Sequence, residues 1–255
     1  VISGLTSIGG DNNSGLMISG FMNVTGNMAS GLHFSGIANI TGQSFGGLMA
    51  SGLLNVVGEH MNGLQIAGIA NITASKLNGV QVALCNYATK ARGLQIGLVN
   101  YYKEDMKGFQ LGLVNANPDT KVQMMVYGGN ATPANIGVRF KNQLFYTILG
   151  VGSMYQGLNN KFSASASYRA GLSFPLYKGL SISGDLGYQH IEAFDNKDEV
   201  IPKRLYALQA RANLEYQFTR KFGIFATGGY GLTRFYNKSS NYDKGAIIEA
   251  GIVLF

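Results

Sequence analysis

Three histidines, a pair of serines and a set of charges on one face of the chain are the residues whose chemistry has to be weighed first. His33, His60 and His190 lie far apart, and none stands at a metal-ligand spacing. No metal site and no cofactor are therefore expected. His190 is close to Ser181 and Ser183, the residue types of a hydrolase, but alternation along their shared strand puts the histidine on the face opposite both serines. The glycine-rich GGYGL from Gly228 to Leu232 reads as a strand, since no helix follows it to form a phosphate loop. No catalytic residue is assigned, and an enzyme is not expected.

Two further groups suggest binding or transport. Arg139, Arg169, Asp185, Arg211, Glu215 and Glu249 fall on the polar face of alternating segments. In a barrel they would line the lumen, either as rings that set ion preference or as side chains that fill and pair inside it. Weight given to the arginines predicts a mild anion preference for any pore. Asn23, Asn39, Asn55 and Asn71 recur at one position of a repeat, followed by Asn86, Asn100 and Asn115. They would line a lumen or ligand track, or hydrogen-bond to one another across strands, and the second reading is favoured.

The elements that must position these residues follow from composition and periodicity. Of 255 residues, 36 are Gly, none is Trp and 13% are charged, about half the usual charged share. Between Asp11 and Glu59 no side chain carries a formal charge. Such a stretch is either buried or wetted by something other than water. Gly, Asn and Ser interrupt every apolar run well before the roughly 18 residues of a membrane helix. A membrane-spanning chain of this kind must therefore be a closed barrel, the other structure that satisfies its own backbone in lipid. The net charge of +7 comes from scattered basic residues, which argues against nucleic acid. Val1 has no signal-peptide character, and the single Cys85 excludes an intrachain disulfide.

Gly15, Gly31, Gly47, Gly63 and Gly79 are sixteen residues apart, and Gly93 and Gly108 continue the series at fourteen and fifteen. The units read GLMISGFMNVTG, GLHFSGIANITG, GLMASGLLNVVG and GLQIAGIANITA, then GVQVALCNYA, GLQIGLVNYY and GFQLGLVNAN. Ser3–Gly10 matches at the same offset, which makes eight units. Each alternates with period two: Leu16, Ile18, Gly20, Met22 and Val24 against Met17, Ser19, Phe21, Asn23 and Thr25. About ten strand residues and about six turn residues per unit fit a transmembrane β-strand.

The remaining half has no repeat but cleaner alternation. Tyr206, Leu208, Ala210, Ala212, Leu214, Tyr216 and Phe218 oppose Gln209, Arg211, Asn213, Glu215 and Gln217. Similar faces run through 162–174 and 180–190, with aromatics at the ends of the apolar faces. Strands are expected near 121–127, 134–141, 143–155, 161–174, 179–193, 204–218, 222–236 and 244–255. All four prolines are expected between them, and the terminal Phe255 fits the last strand of an outer-membrane barrel.

The run GLQIGLVNYYKEDMKGFQLGLVN from Gly93 to Asn115, followed by amphipathic strands, resembles the surface-repeat outer-membrane proteins of Bacteroidota. That resemblance implies a location in the outer membrane of a Gram-negative bacterium more than it implies an activity.

Two architectures accommodate these patterns. The favoured one is a single all-β domain over 1–255, a transmembrane antiparallel up-and-down barrel of about sixteen strands. Residues 1–117 would supply repeat strands and 118–255 the others. It would act as a porin-like passive channel or as a scaffold subunit, with outer-membrane lipid and other outer-membrane proteins as partners. The rival is a parallel β-solenoid over the repeats followed by an eight-stranded barrel, giving a surface-exposed binding or adhesive module on an anchor. Constant unit length favours the solenoid; the missing charges oppose one standing in water.

Overall fold

The computed structural model describes residues 1–153, 162–194, 204–236 and 241–254, with backbone alone for Asn241 and Tyr242. Phe255 and Pro202 lie outside the described residues. Every regular element is a β-strand, and the chain divides into two compact units, Val1–Asp119 and Thr120–Phe255.

In the first unit each repeat makes one coil with a short and a long strand. The pairs are β1 (Ile2–Ser3) and β2 (Thr6–Gly9), β3 (Asn12–Ser19) and β4 (Met22–Thr25), and β5 (Met28–Ser35) and β6 (Ala38–Thr41). There follow β7 (Ser44–Ser51) and β8 (Leu54–Val57), then β9 (His60–Ala67). From there β10 (Ala70–Val82), β11 (Cys85–Ile96) and β12 (Val99–Leu111) run through the second turn of their coils, and β13 (Val114–Ala116) closes the series. All pairing is parallel and between equivalent positions. Gly15 pairs with Gly31, Gly31 with Gly47, Gly47 with Gly63, and so on to Gly108. This is a parallel β-solenoid, the rival of the two architectures expected from sequence, and it overturns the favoured single barrel of about sixteen antiparallel strands over 1–255. The physical reason is register: the first coils repeat at sixteen residues, and where the spacing drops to fourteen and fifteen, bulges between Thr73 and Lys76 and between Ala88 and Lys90 absorb the difference, so equivalent residues still stack. The unit is also not one ten-residue strand. Gly20 and Phe21 form a turn, so Phe21 points outward and not to the face of Asn23.

The repeat glycines enforce close stacking at a bend. Gly63 has φ +129°, and a Cβ there would stand 2.1 Å from the Gly47 carbonyl oxygen. Gly15, in the first full coil, has φ +95° with nothing near its Cβ direction.

Asn23, Asn39 and Asn55, with Thr25 and Thr41, are buried between the two sheets. Columns of aliphatic side chains point outward instead. One runs Leu16, Leu32, Leu48, Leu64, Val80, Leu94, and another runs Phe21, Ile37, Leu53, Ile69, Leu84, Leu98, Leu113 along the first turn. An apolar cluster of Phe45, Met61, Leu77 and Ala91 fills the interior on the side of the second turn.

The second unit is a closed antiparallel barrel. Its strands are β14 (Lys121–Gly129), β15 (Ala134–Asn142), β16 (Phe145–Ser153), β17 (Ser163–Tyr177), β18 (Leu180–Ala193), β19 (Arg204–Thr219), β20 (Phe222–Phe235) and β21 (Asn241–Leu254). Each pairs with the next, and β14 pairs with β21 to close the ring. Two-residue turns at Gln143–Leu144, Lys178–Gly179 and Arg220–Lys221 share the end where β14 begins. Lys178 and Gly179 both have positive φ, which suits the twist of a tight hairpin. One proline departs from expectation: Pro175 lies within β17, next to a register shift between Pro175 and Tyr177 that tolerates a missing N–H.

Gly63→Ala should destabilise the solenoid by about 3 kcal/mol or more, through clash added to backbone strain. Gly15→Ala should cost about 1–2 kcal/mol, from conformation alone. Urea unfolding of the two variants followed by circular dichroism measures the difference; equal losses would remove close stacking as the constraint.

Candidate functional site

Two buried polar networks hold nearly all the residues that carry chemistry, one in each unit. In the solenoid the asparagines form a continuous ladder. The Nδ2 of Asn23 donates to Oδ1 of Asn39 at 2.8 Å, and Asn39, Asn55, Asn71, Asn86 and Asn100 each donate onward to the next, ending at Asn115. The same Nδ2 groups also donate to the carbonyl that precedes the first turn of the next coil, as Asn55 does to Ile66 at 2.7 Å. Each asparagine thus pins a turn. The ladder stands inside the solenoid: the favoured reading of amides bonded across strands holds, and the expectation that Asn23, Asn39, Asn55 and Asn71 line a barrel lumen is corrected. Their hydrogen bonds lie within the solenoid, to the next coil and, at the carbonyls of Met17, Met49, Gln65 and Ala83, to their own.

A second ladder escaped the sequence reading. Gln81 donates to Gln65 at 2.8 Å, Gln95 to Gln81 at 2.9 Å and Gln110 to Gln95 at 2.8 Å, opposite in direction to the asparagines. Its signal was the third position of each GLQ or GVQ motif. In earlier coils that column holds Met17, His33 and Met49. His33 is 1% exposed and packs edge-on against Phe45 at 4.9 Å.

In the barrel Arg139, Arg169, Asp185, Arg211, Glu215 and Glu249 all face the lumen and all are buried. Arg139 makes a bidentate pair with Glu215, at 2.6 and 3.0 Å, and is held from the other side by Gln123. Arg169 grips Asp185 through two bonds of 2.8 Å, and Asp185 also accepts from Tyr146 and Asn213. Arg211 pairs with Glu249 at 3.0 Å, with Arg169 3.6 Å from the same carboxylate. Three guanidiniums therefore meet three carboxylates, so these six residues together supply no net charge for the expected anion preference. The void between Met125, Arg139, Tyr146 and Phe225 is about 10 Å³, room for at most one water. A larger recess of about 270 Å³ opens at one mouth beside Gln209, Thr233 and Asp243. Gln123, Tyr146 and Asn213 were missed as network members; Asn213 was visible on the polar face of β19, but nothing local marked Tyr146.

The barrel's outer face is apolar between two sets of aromatics. Tyr206, Leu208, Leu214, Tyr216 and Phe218 alternate outward along β19. Tyr206 and Tyr236 approach to 5.1 Å near one rim, and Phe218 and Phe222 to 5.9 Å near the other. Twelve residues at about 3.3 Å, tilted by about 40°, separate the rims by about 30 Å. His190 belongs to the first set: its Nδ1 is 2.8 Å from the Tyr236 hydroxyl, on the outside of the barrel and away from Ser181 and Ser183. Among the described residues no three His, Cys, Asp or Glu side chains gather as a metal site.

The class is a closed eight-stranded β-barrel with a polar, filled interior, following a parallel β-solenoid. No family model matches the sequence, and no curated protein does. Among solved structures the N-terminal β-barrel domain of Pseudomonas aeruginosa OprF is similar at 17% identity, covering 52% of this chain and 93% of that one, with a TM-score of 0.35.

Arg139→Met should leave Glu215 buried and unpaired and lower barrel stability by about 3–5 kcal/mol, while Arg139→Met with Glu215→Leu should recover most of it. Urea titration in detergent micelles reads both; equal loss in single and double variants would contradict the pairing.

Proposed function

We propose that this chain is an integral outer-membrane protein whose barrel is a non-conducting anchor and whose function is structural. The observation that carries this reading is the filled lumen inside a closed barrel with an aliphatic outer belt. Eight strands leave an interior just wide enough for side chains, and here ion pairs occupy it. The belt height of about 30 Å agrees with a bilayer's hydrocarbon core and its aromatic girdles. Lipid is the partner this surface fits, and other membrane proteins are the partners of a scaffold. The resemblance to surface-repeat proteins of Bacteroidota belongs to the same proposal, through the Gly-Leu-Gln repeats.

Of the two roles weighed from sequence, the scaffold is favoured over the passive channel, because buried ion pairs occupy the lumen around a void of only about 10 Å³. The adhesive-module reading requires repeats that present polar faces to water. The outward columns of Leu16 and Phe21 and their equivalents oppose it, since contiguous exposed apolar surface marks a contact with lipid or protein.

Reconstituted in a planar bilayer, the protein should show no stepwise conductance, while unboiled samples should migrate as a compact, heat-modifiable band on denaturing gels. Discrete channel steps would overturn the anchor reading in favour of a pore. Absence of heat-modifiability together with recovery in the aqueous fraction would overturn the membrane location.

A further inference from the structure

The solenoid has two edges of opposite character. Around the first turn, from Leu16 to Leu113, the outward columns are aliphatic or aromatic and offer almost no hydrogen-bonding side chain. Around the second turn stands every charged side chain between Asp11 and Lys107, including Glu59, Lys76, Arg92 and Glu104. The division is sharp because it follows the repeat register and not local composition.

We infer that the repeat unit is seated edge-on in one leaflet of a lipid bilayer, with its first-turn edge among the acyl chains and its second-turn edge at the headgroups. The inference goes beyond the barrel's anchoring role and does not rest on it. Three observations single out acyl chains over a protein partner. First, the apolar turn has its backbone satisfied from within. The N–H groups of Ile37, Leu53, Ile69 and Leu98 donate to the carbonyls of Phe21, Ile37, Leu53 and Leu84, one coil back, at 2.8–3.0 Å. Hydrocarbon tolerates exposed backbone only where its polar groups are already paired. Second, the depth fits. From the Leu16 column to the turn is about four residues, or about 13 Å at 3.3 Å per residue, against about 15 Å for half a hydrocarbon core. Third, the boundary carries amphipathic rings: Tyr87 and Tyr101 stack at 5.8 Å on the outward column nearest the second turn. Tyrosines collect where hydrocarbon meets water. A protein interface would instead need donors, acceptors and anchoring side chains spaced across the patch, and the first-turn columns supply almost none.

The chain contains no Trp, so a single introduced indole reports one place. Leu53→Trp and Leu98→Trp mark the first turn, Gln43→Trp the second, and Leu186→Trp the outer face of the barrel. The full chain carrying each is reconstituted in phosphatidylcholine–phosphatidylglycerol vesicles with acyl chains brominated at mid-depth. Leu53→Trp and Leu98→Trp should emit blue-shifted light and lose most of it to the bromines, while Gln43→Trp keeps its emission and is quenched by aqueous acrylamide. First-turn indoles that bromolipid does not quench overturn the inference, and their shielding from acrylamide as well would assign the edge to a protein partner or second copy. Quenching of Gln43→Trp by bromolipid would overturn the edge-on seating. Leu186→Trp separates the two readings: unquenched there but quenched at Leu53, the barrel anchor fails and this inference stands. Matching circular dichroism of all four variants excludes misfolding as the cause.

Discussion

Internal satisfaction of polar groups is the constraint on which the whole molecule depends. The barrel's outer face and the solenoid's first-turn edge present apolar side chains, so backbone polar groups there find partners within the chain. Each unit resolves this differently. The barrel closes on itself through β14 and β21, so no sheet edge remains in the ring. In the solenoid, strand and turn N–H groups donate to the carbonyls of the coil before, as Leu53 does to Ile37 at the first turn.

The same constraint shapes the interiors. Amides are the group of choice between the solenoid sheets because each carries both donor and acceptor and can hand a bond to an identical neighbour about 4.8 Å away. The asparagine and glutamine ladders run in opposite directions, so their side-chain dipoles oppose one another. In the barrel, residues from distant strands converge and no two levels are alike. There, full charges pair instead: Arg139 on β15 with Glu215 on β19, and Arg211 on β19 with Glu249 on β21. Such pairs stabilise little relative to apolar fillers, but a register slip on any of these strands would strand a buried charge. They specify which strand alignment is allowed more than they hold it together.

Much of this was legible in the sequence. The eight barrel strands lie close to where alternation put them, and the six charged residues on the polar face all face the lumen. The stacking position of the asparagines was visible as a recurrence. The pairing of those charges was not, because Arg139 and Glu215 are 76 residues apart and only barrel closure makes them neighbours. Nor was the role of Tyr146 visible, on a strand whose two faces are both largely apolar. Phe21 was placed on the wrong face because a two-residue turn preserves the period-two rhythm while changing the chain's direction.

The sequence by itself determined that the chain is built of strands with one apolar and one polar face, repeated at near-constant length in the first half and irregular in the second. It determined which residues share a face. Tertiary structure alone decided which strands are partners, and so whether a polar face meets its own copy or a complement. Alternation is a local property of one strand and is the same whether the neighbour runs parallel or antiparallel. Pairing is a long-range choice: glycine stacks on glycine and asparagine on asparagine across all the repeats, with bulges taking up the shorter units.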